Sequence, residues 1–311
     1  MTYLAGIDGG GSKTHCAIGD SEGNILAQGA SSGSNYQTVG EEAARLAINS
    51  ALASAADQLG ISRDQLDYVV FGLAGADTER DFKVLNPMCE SICGHNRFKV
   101  VNDTWIGLRA GTPEDWGIVT ICGTGGACAG RNREGREVIL RNLTYEAGNR
   151  GGGTEIVQKA LHFAFRSEEG TGKKTRLEDE IPRLLERGSM EELVEMVYER
   201  IPHPKIIAEL PALVGRLANG GDSVCQDILL ETGHALGEIA SGVIKRLEME
   251  KEDFHVTLVG GVFKTENPLL VDEYTTTVHR AAPHARIGIA NKKPVVGAYD
   301  LALDGWKSGK M

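Results

Sequence analysis

Residues 6 to 14 read GIDGGGSKT, and this stretch with its flanks decides how the fold is interpreted. The apolar segment Tyr3 to Ile7 leads into Asp8, and the segments His15 to Gly19 and Ile25 to Ala30 follow, separated by a polar turn. This pattern predicts a strand, a glycine bend and a two-stranded hairpin. Because three consecutive glycines let backbone N–H groups approach a polyanion closely, the bend is a candidate phosphate-binding loop.

The donors of this bend suit a nucleotide phosphate. Amide, hydroxyl and ammonium groups follow one another at Gly10, Gly11, Ser12, Lys13 and Thr14. Asp8, at the end of the first strand, is the candidate that holds Mg²⁺ through water, because this ion keeps much of its hydration shell. A Walker A loop is excluded, since Ser12 and not glycine precedes Lys13 and a strand-like segment follows. The alternative is a hairpin bend without a ligand.

A second copy of the strand, bend and hairpin pattern appears in mid-chain. The apolar strand Trp116 to Ile121 leads into a glycine bend whose candidate phosphate contacts are Gly123, Thr124 and Gly125. The alternation of strands and helices around both copies predicts an α/β chain with two similar domains that face each other across a cleft. We place these domains at residues 1–114 and 115–293, the second with helical insertions. We expect the helix within residues 294–311 to complete the first domain.

Periodicity and helix-start signals predict the remaining elements. Residues 31–35 are expected to form a small polar loop. Strands are expected over residues 68–73, 98–101, 254–259 and 285–289. Helices are expected over residues 40–59, 78–93, 104–110, 155–165, 177–186, 190–199, 206–218, 223–247, 271–279 and 294–303.

Composition narrows the class of protein. A net charge of −10 over 311 residues argues against a broad nucleic-acid-binding surface. No apolar run approaches the roughly 18–20 residues of a membrane span, and no signal-peptide pattern opens the chain. We therefore expect no membrane contact and a cytoplasmic location. The six cysteines contain no CxxC pair and the eight histidines no HExxH pair, so we expect no transition metal.

Two further positions carry candidate chemistry. The pair Gly260 and Gly261 follows an apolar strand and can place backbone against an adenine or a ribose, and the alternative is a tight strand-to-helix turn. Asp103 lies between the strand over 98–101 and the helix over 104–110, where its carboxylate can take a proton from an attacking hydroxyl. The alternative is that Asp103 only caps the helix. With three phosphate-type bends in the chain, we favour the catalytic base.

These motifs together resemble the BadF/BadG/BcrA/BcrD ATPase family, and within it the N-acetylglucosamine kinases. That family belongs to the superfamily of actin, hexokinase and heat-shock ATPases. The resemblance runs through nearly all of the chain. It is carried by GIDGGGSKT at Gly6, FGLAGAD at Phe71, VVNDT at Val100, ICGTGG at Ile121, GDSVCQDIL at Gly221, LVGGVF at Leu258 and PVVGAYDLAL at Pro294.

The resemblance implies two ribonuclease-H-like, actin-like ATPase domains that face each other across an ATP cleft. It implies ATP with Mg²⁺ as the cofactors and a small-molecule sugar as the partner, and a homodimer is common in the family. Asp103 falls on the catalytic aspartate and Asp8 on the aspartate of the metal side. The sugar is then expected near Asn35, Gly75, Ala76, Asp77, Asp103 and Gly151.

One departure from the family pattern concerns the sugar. These kinases usually read GDEGS before the mid-chain helix, and we match that segment to Arg150-Gly151-Gly152-Gly153-Thr154, in which both acids are absent. Acidic side chains there would accept hydrogen bonds from sugar hydroxyls, and Gly151 cannot. We therefore expect weak phosphorylation of N-acetylglucosamine or a different acceptor, such as an acidic sugar attracted by Arg150.

The main hypothesis is an ATP-dependent kinase that phosphorylates a hydroxyl of an N-acetylhexosamine or a related sugar. Two other classes stay open at this point. The family also contains ATPases that activate 2-hydroxyacyl-CoA dehydratases through a cysteine-ligated cluster at a dimer interface. Here Cys122 and Cys128 flank the second glycine bend, at positions that suit a small buried residue, and no other pair of cysteines suggests itself. A sensor that binds a sugar or a nucleotide without turnover is the third possibility.

Overall fold

Two five-stranded mixed sheets carry the fold in the computed structural model, which describes residues 1–141, 145–198, 204–265 and 267–309. The first sheet contains Leu4–Gly9 (β1), Lys13–Gly19 (β2), Ile25–Ser32 (β3), Tyr68–Leu73 (β4) and Phe98–Asn102 (β5). The second sheet contains Gly117–Cys122 (β6), Gly126–Arg131 (β7), Glu137–Ile139 (β8), His255–Val259 (β9) and Arg286–Ile289 (β10).

The two sheets share one arrangement. The order is β3-β2-β1-β4-β5 in the first and β10-β9-β6-β7-β8 in the second. In the first sheet β1 is antiparallel to β2 and parallel to β4, and in the second β6 is antiparallel to β7 and parallel to β9. The predicted α/β fold with a repeated hairpin is therefore confirmed. The domain boundaries at 114 and 293 stay a prediction.

Helices cover both sheets of the described chain. They span Tyr36–Val39 (α1), Glu41–Leu59 (α2), Glu79–Cys93 (α3), Asp103–Gly111 (α4), Gly153–Glu168 (α5), Leu177–Leu184 (α6), Val194–Tyr198 (α7), Pro204–Asn219 (α8), Ser223–Leu247 (α9), Leu269–Ala281 (α10) and Pro294–Ser308 (α11). Within the described ranges, none of these helices has both the length and the apolar composition that a membrane crossing requires.

Two sequence-based assignments are corrected. The polar loop expected over 31–35 is shorter than predicted, because Ser31 and Ser32 still belong to β3; residues 33–35 form the loop, and the Asn35 side chain caps α1. The single helix expected over 190–199 is a 3-10 turn at Glu191–Leu193 followed by the short α7, and residue 199 lies outside the described residues. Other observed helices and strands differ from their predicted bounds by a few residues at an end, which is where propensity is least informative.

The helix α4 joins the two halves of the molecule because it packs between the sheets. On one side Ile106, fully buried, fills the space that a side chain on Gly72 of β4 would need. On the other side a Cβ on Gly107 would lie 3.4 Å from both Val119 of β6 and Val259 of β9. The same helix contacts α11, which covers β1 and β4 of the first sheet.

The contact between α4 and α11 depends on a glycine. A Cβ at Gly297 of α11 would lie 2.1 Å from the Ile106 carbonyl oxygen and 2.8 Å from the Ala110 nitrogen. We expect Gly297→Ala to lower the free energy of unfolding by about 1–3 kcal/mol, because two helix backbones would have to move apart. Urea denaturation of the purified protein measures this change.

The matched control is Gly242→Ala in α9. Gly242 is exposed and a Cβ there would meet no atom within 4 Å, so alanine should raise the free energy of unfolding by about 0.5–1 kcal/mol. Two substitutions of the same kind should thus act in opposite directions. A stabilising or neutral Gly297→Ala would contradict the close packing of α4 on α11.

Candidate active site

Three carboxylates gather at the edge where parallel strands of the first sheet end. Asp8 lies near the end of β1, in register with Gly72 of β4. Asp77 follows β4 after a turn in which Gly75 has a φ of +85°. Asp103 is the first residue of α4, directly after β5. The carboxyl ends of parallel strands meet at one edge of a sheet, so the fold brings together three acids that the sequence separates widely.

Asn102 fixes the position of Asp103. Its side-chain oxygen accepts a hydrogen bond from the Thr104 backbone N–H at 3.0 Å, so Asn102 is the N-cap of α4. Its amide nitrogen donates to the Asp77 carboxylate at 2.7 Å and thereby ties the end of β5 to the turn after β4. The alternative in which Asp103 serves as the N-cap is therefore wrong.

Burial and mutual repulsion raise the pKa values of the carboxyl groups in this site. Burial, followed by the charges of Asp8 and Asp77, raises the pKa of Asp103 to about 7. Burial raises the pKa of Asp8 to about 6. The pKa of Asp77 is raised by burial and by Asp81, while hydrogen bonds such as that from Asn102 oppose the shift. A carboxylate that titrates near neutrality is suited to accept a proton from a substrate hydroxyl.

The predicted sugar contacts Asn35 and Gly75 lie side by side. A Cβ on Gly75 would lie 2.8 Å from the Asn35 side-chain oxygen, so only glycine fits against that amide. Gln37 links the same parts of the chain, because its side-chain nitrogen donates to the Gly75 carbonyl at 3.3 Å. Ala76 is buried, and its carbonyl accepts from the Asn102 side chain at 3.4 Å. Asn35 and residues 75–77 therefore form one wall beside Asp103.

Asp81, which is not among the predicted site residues, supports this wall. Burial acts to raise the pKa of its carboxyl, but hydrogen bonds from Tyr36, Thr78 and Gln37 hold the pKa at about 2. The Tyr36 hydroxyl and the Gln37 amide donate to the same Asp81 oxygen. Thr78 and Asp81 also form the capping box of α3. A capping box is readable from sequence, but its link to the loop after β3 is a long-range contact.

The first and second glycine bends face each other. The Ser12 and Thr124 hydroxyl oxygens are 3.4 Å apart although the residues are separated by 112 positions. Each bend closes on itself, the first through Gly10 N–H to the Lys13 carbonyl at 3.0 Å and the second through a bond from the Gly123 N–H to the Gly125 carbonyl at 3.0 Å. Their facing positions leave exposed amides and hydroxyls on both sides of one gap.

Thr14 does not contribute its hydroxyl to this gap. Its side chain is fully buried, and its oxygen lies 2.7 Å from the Ser32 carbonyl and 2.8 Å from the Ser34 hydroxyl. Side chains alternate along β2, so Thr14 shares the inward face with Cys16 and Ile18 while Lys13 is exposed. The prediction that the Thr14 hydroxyl contacts a phosphate is corrected.

The third bend and the second enclose a cavity of about 190 Å³. A Cβ on Gly260, which has a φ of +120°, would lie 2.1 Å from the Cys122 carbonyl oxygen, so this bend packs on the end of β6. The cavity walls include predicted site residues and, from α8, residues that are not among the predicted ones. They are Gly123, Thr124, Gly153, Ala208, Pro211, Ala212, Gly261, Val262 and Thr265.

Lys293, which is not among the predicted site residues, is a second cation at the edge of the first sheet. A Cβ on Gly6 of β1 would come within 2.1 Å of the Tyr299 nitrogen, so α11 lies directly on this strand. Leu303, one turn later, reaches Gly23 at the opposite edge of the sheet. The start of α11, with the exposed Lys293 before it, therefore lies at the carboxyl edge of β1.

The charge of Lys293 acts on the first glycine bend. Burial lowers the pKa of His15, and the charges of Lys293 and Lys13 lower it further. His15 pairs with Asp8 in the register of β1 and β2. Two ammonium groups thus lie near one imidazole beside Asp8, and this edge carries more positive charge than Lys13 alone supplies.

The segment before α5 differs from the sequence interpretation. Arg150 donates to the Glu155 carboxylate at 2.8 and 3.0 Å, and the Gly151 N–H donates to the same carboxylate at 2.6 Å. Arg150 is therefore held in an ion pair, and its predicted role of attracting an acidic sugar is corrected. Glu155 also pairs with Lys159 at 3.0 Å.

The glycines of this segment cannot be replaced by acids. Gly151 and Gly152 have φ values of +80° and +91°. A Cβ at Gly151 would lie 2.5 Å from the buried Leu236 side chain. The helix α5 begins at Gly153, so the five residues before it are 148–152, which read GNRGG. Matched to GDEGS, this segment has Asn149 and Arg150 in the places of the two acids, which corrects the earlier match to residues 150–154. The role of Gly151 in sugar binding stays a prediction.

A metal at this edge would depend on few protein ligands. Within the described ranges, no cluster of three histidine, cysteine, aspartate or glutamate side chains is placed to hold a metal ion. That donor set fits Mg²⁺ bound mainly by phosphates and water, with Asp8 as a single nearby carboxylate. The half-buried position of Asp8 beside the first bend agrees with this arrangement.

The pKa of Asp103 has a consequence for stability. Its ordinary value is 3.8, so between pH 4 and pH 7 the folded protein binds more protons than the unfolded chain, and stability falls as the pH rises. We expect Asp103→Asn to raise the free energy of unfolding by about 1–3 kcal/mol at pH 8 and by much less at pH 5. Urea denaturation at both pH values measures the difference.

The control for this experiment is Asp57→Asn, an exposed position on α2. It should show no gain that depends on pH in this way. An equal gain for Asp103→Asn at both pH values would show that the carboxyl is not held near a pKa of 7.

The chain is similar to two curated sugar kinases. An N-acetylmuramic acid/N-acetylglucosamine kinase of Clostridium acetobutylicum is 32% identical over 302 residues, covering 97% of this chain and 98% of that protein. An N-acetyl-D-glucosamine kinase of Dictyostelium discoideum is 30% identical over 313 residues, with 97% and 98% covered.

A solved structure from Chromobacterium violaceum, described provisionally as an N-acetylglucosamine kinase, shares the fold with a TM-score of 0.74 at 20% identity, covering 97% of this chain and 99% of that one. The sequence model of the BadF/BadG/BcrA/BcrD ATPase family matches residues 5–302, which confirms the resemblance seen in the motifs. The chain belongs to the BadF/BadG/BcrA/BcrD ATPase family.

Proposed function

We propose that the protein is an ATP-dependent kinase that transfers the γ-phosphoryl group to a hydroxyl of an acetamido sugar. The observation that carries this proposal is Asp103, a carboxylate with a pKa of about 7, at an edge that carries two further acids. The relatives that act on N-acetylglucosamine and N-acetylmuramic acid support the acceptor class. The family and the facing glycine bends support ATP as the donor.

In this proposal one end of ATP lies between the second and third glycine bends, and its phosphates lie in the gap between the first and second bends. The adenine occupies the cavity beside α8, where Ala208, Pro211 and Ala212 offer apolar contact. The phosphates lie between the bends, within reach of the amides of Gly10, Gly11 and residues 123–125. Lys13 and Lys293 offset the phosphate charge, since an exposed ammonium near a polyanion lowers the energy of the bound state.

Asp8 is the protein group that would orient Mg²⁺ on the phosphates. When bound, this ion neutralises charge that develops on the phosphate oxygens.

The sugar lies against the wall formed by Asn35 and residues 75–77. Asp103 accepts the proton of the acceptor hydroxyl on a carboxylate oxygen while the hydroxyl oxygen forms a bond to the γ-phosphorus. The bond from that phosphorus to the bridging oxygen breaks on the opposite side, and ADP leaves with the electron pair. Asn102 and Asp77 hold the wall in place, which limits the positions available to the hydroxyl.

The two other classes fit the structure less well. A cluster shared between subunits needs cysteines at a surface, whereas Cys122 and Cys128 are fully buried and burial raises the pKa of each thiol to about 12. A sensor without turnover would not need a buried carboxyl tuned to neutrality. We further propose that the enzyme works in the cytoplasm, where ATP is available, and as a homodimer.

Loss of the Asp103 carboxylate tests the proposal directly. Asp103→Asn keeps the size of the side chain and removes the base, so the rate constant kcat should fall by about 10²–10⁴-fold. A coupled assay for ADP release across a panel of acetamido sugars measures kcat, and titration with a fluorescent ATP analogue measures nucleotide binding. Nucleotide binding should stay within a few-fold of the wild type. Unchanged kcat on the best acceptor would show that Asp103 is not the base.

Lys293 provides a second test with a neighbour as control. Lys293→Met should raise the KM for ATP by about 3- to 10-fold, since one exposed charge contact is lost, and leave the KM for the sugar unchanged. Lys292→Met removes the same charge one residue away, where the ammonium pairs with Asp300 at 2.6 Å. That control should leave the KM for ATP unchanged. Equal effects of the two substitutions would contradict a specific role for Lys293.

A further inference from the structure

A second cavity, of about 480 Å³, lies on the outer side of β8. The strand, the segment over 147–149 and α9 form its walls. Ile139, Leu140 and Ile239 give it apolar surface, and Arg141 and Arg246 give it two guanidinium groups. It is larger than the cavity beside α8 and is not used by the adenine or the phosphates in the proposed function.

One end of this cavity lies next to the second glycine bend. The Asn149 side-chain nitrogen donates to the Gly126 carbonyl at 3.2 Å, and Gly126 directly follows the bend. Strand β8 runs antiparallel to β7, and the Leu140 N–H donates to the Cys128 carbonyl at 3.1 Å. Residue 141 therefore continues back toward the level of the bend. The cavity thus begins on the β8 side of the gap that receives the phosphates, opposite the cavity beside α8.

The two arginines of the cavity differ from three paired arginines near them. Arg131, Arg136 and Arg150 pair with Glu137, Glu248 and Glu155 at 2.6, 3.2 and 2.8 Å. Among the described residues, the guanidinium groups of Arg141 and Arg246 have no ion-pair or hydrogen-bond partner. Two unpaired guanidinium groups therefore line one cavity of a chain whose net charge is −10. Such a cavity is complementary to an anion with an apolar body.

We propose that this cavity binds a carboxylate-bearing substituent of the acceptor sugar, with Arg141 as the main partner of the carboxylate and Arg246 as a second one. The proposal rests on the proposed function, because it takes the acceptor to lie between Asp103 and the second bend. The apolar side chains of Ile139, Leu140 and Ile239 cover the alkyl part of the substituent. A guanidinium binds a carboxylate through two parallel hydrogen bonds, which gives both affinity and orientation.

The test compares two acceptors that differ in this substituent. N-acetylmuramic acid carries a lactyl ether with a carboxylate, and N-acetylglucosamine carries a hydroxyl at that position. We expect the wild type to have the higher kcat/KM with the acid. Arg141→Gln should lower kcat/KM for the acid by about 10- to 100-fold, the range for loss of a charge-assisted hydrogen bond, and should leave the neutral sugar within about 3-fold. Arg246→Gln should act in the same direction and less strongly.

The control is Arg133→Gln. Arg133 carries the same charge on the turn between β7 and β8, where it stacks over Trp116 with its guanidinium carbon 4.5 Å from the ring centroid. Arg133→Gln should leave kcat/KM unchanged for both acceptors. An unchanged ratio of the two kcat/KM values in Arg141→Gln, or an equal loss in Arg133→Gln, would overturn the proposal.

Binding measurements separate this inference from the proposed function. If the wild type phosphorylates neither sugar, the proposed function fails, and titration calorimetry with N-acetylmuramic acid still decides the inference. Binding by the wild type that is lost in Arg141→Gln and kept in Arg133→Gln would support the cavity as an acid-sugar site. Absence of binding by the wild type would overturn it. Stimulation of N-acetylglucosamine turnover by added lactate, without a preference for the acid sugar, would show an effector site and would also overturn it.

Discussion

The packing of α4 between the two sheets is the constraint on which the site depends. Ile106 fills the space above Gly72 of the first sheet, and Gly107 lets Val119 and Val259 of the second approach the same helix. The helix begins at Asp103, so one rigid element both joins the halves and positions the candidate base. A shift of this helix would move the base relative to the second glycine bend, and a misplacement of about 1 Å can cost two orders of magnitude in rate.

The same packing explains the electrostatics of the site. Parallel strands that end at one edge bring Asp8, Asp77 and Asp103 together, and the surrounding structure removes much of their hydration. Keeping such carboxyls near each other opposes folding, because burial and repulsion disfavour the charged forms. The hydrogen bond from Asn102 to Asp77 offsets part of this cost and leaves Asp103 with the most strongly raised pKa of the three. The arrangement therefore trades stability for a carboxyl group that titrates near neutrality.

Local patterns in the sequence were sufficient for the strands, most helices, the glycine bends and the position of Asp103. Alternation along β2 also indicates the buried position of Thr14, since Cys16 and Ile18 on the same face are apolar. The ion pair between Arg150 and Glu155 was not predicted. It forms because α5 begins at Gly153, two residues before the predicted helix start. The contribution of α8 to the smaller cavity and of Lys293 to the first bend depend on contacts between distant segments, and no local spacing encodes them.

The second glycine bend lies between two cavities whose walls differ in chemistry. On its β9 side the third bend and α8 enclose a small cavity with apolar walls, suited to a flat base. On its β8 side the segment over 148–152 turns through left-handed glycines that leave no space for acids. Selection among sugars therefore cannot come from carboxylates at Gly151 or Gly152. In the proposed function this selection falls to the wall at Asn35 and Asp77, and in our further proposal to the guanidinium groups next to β8.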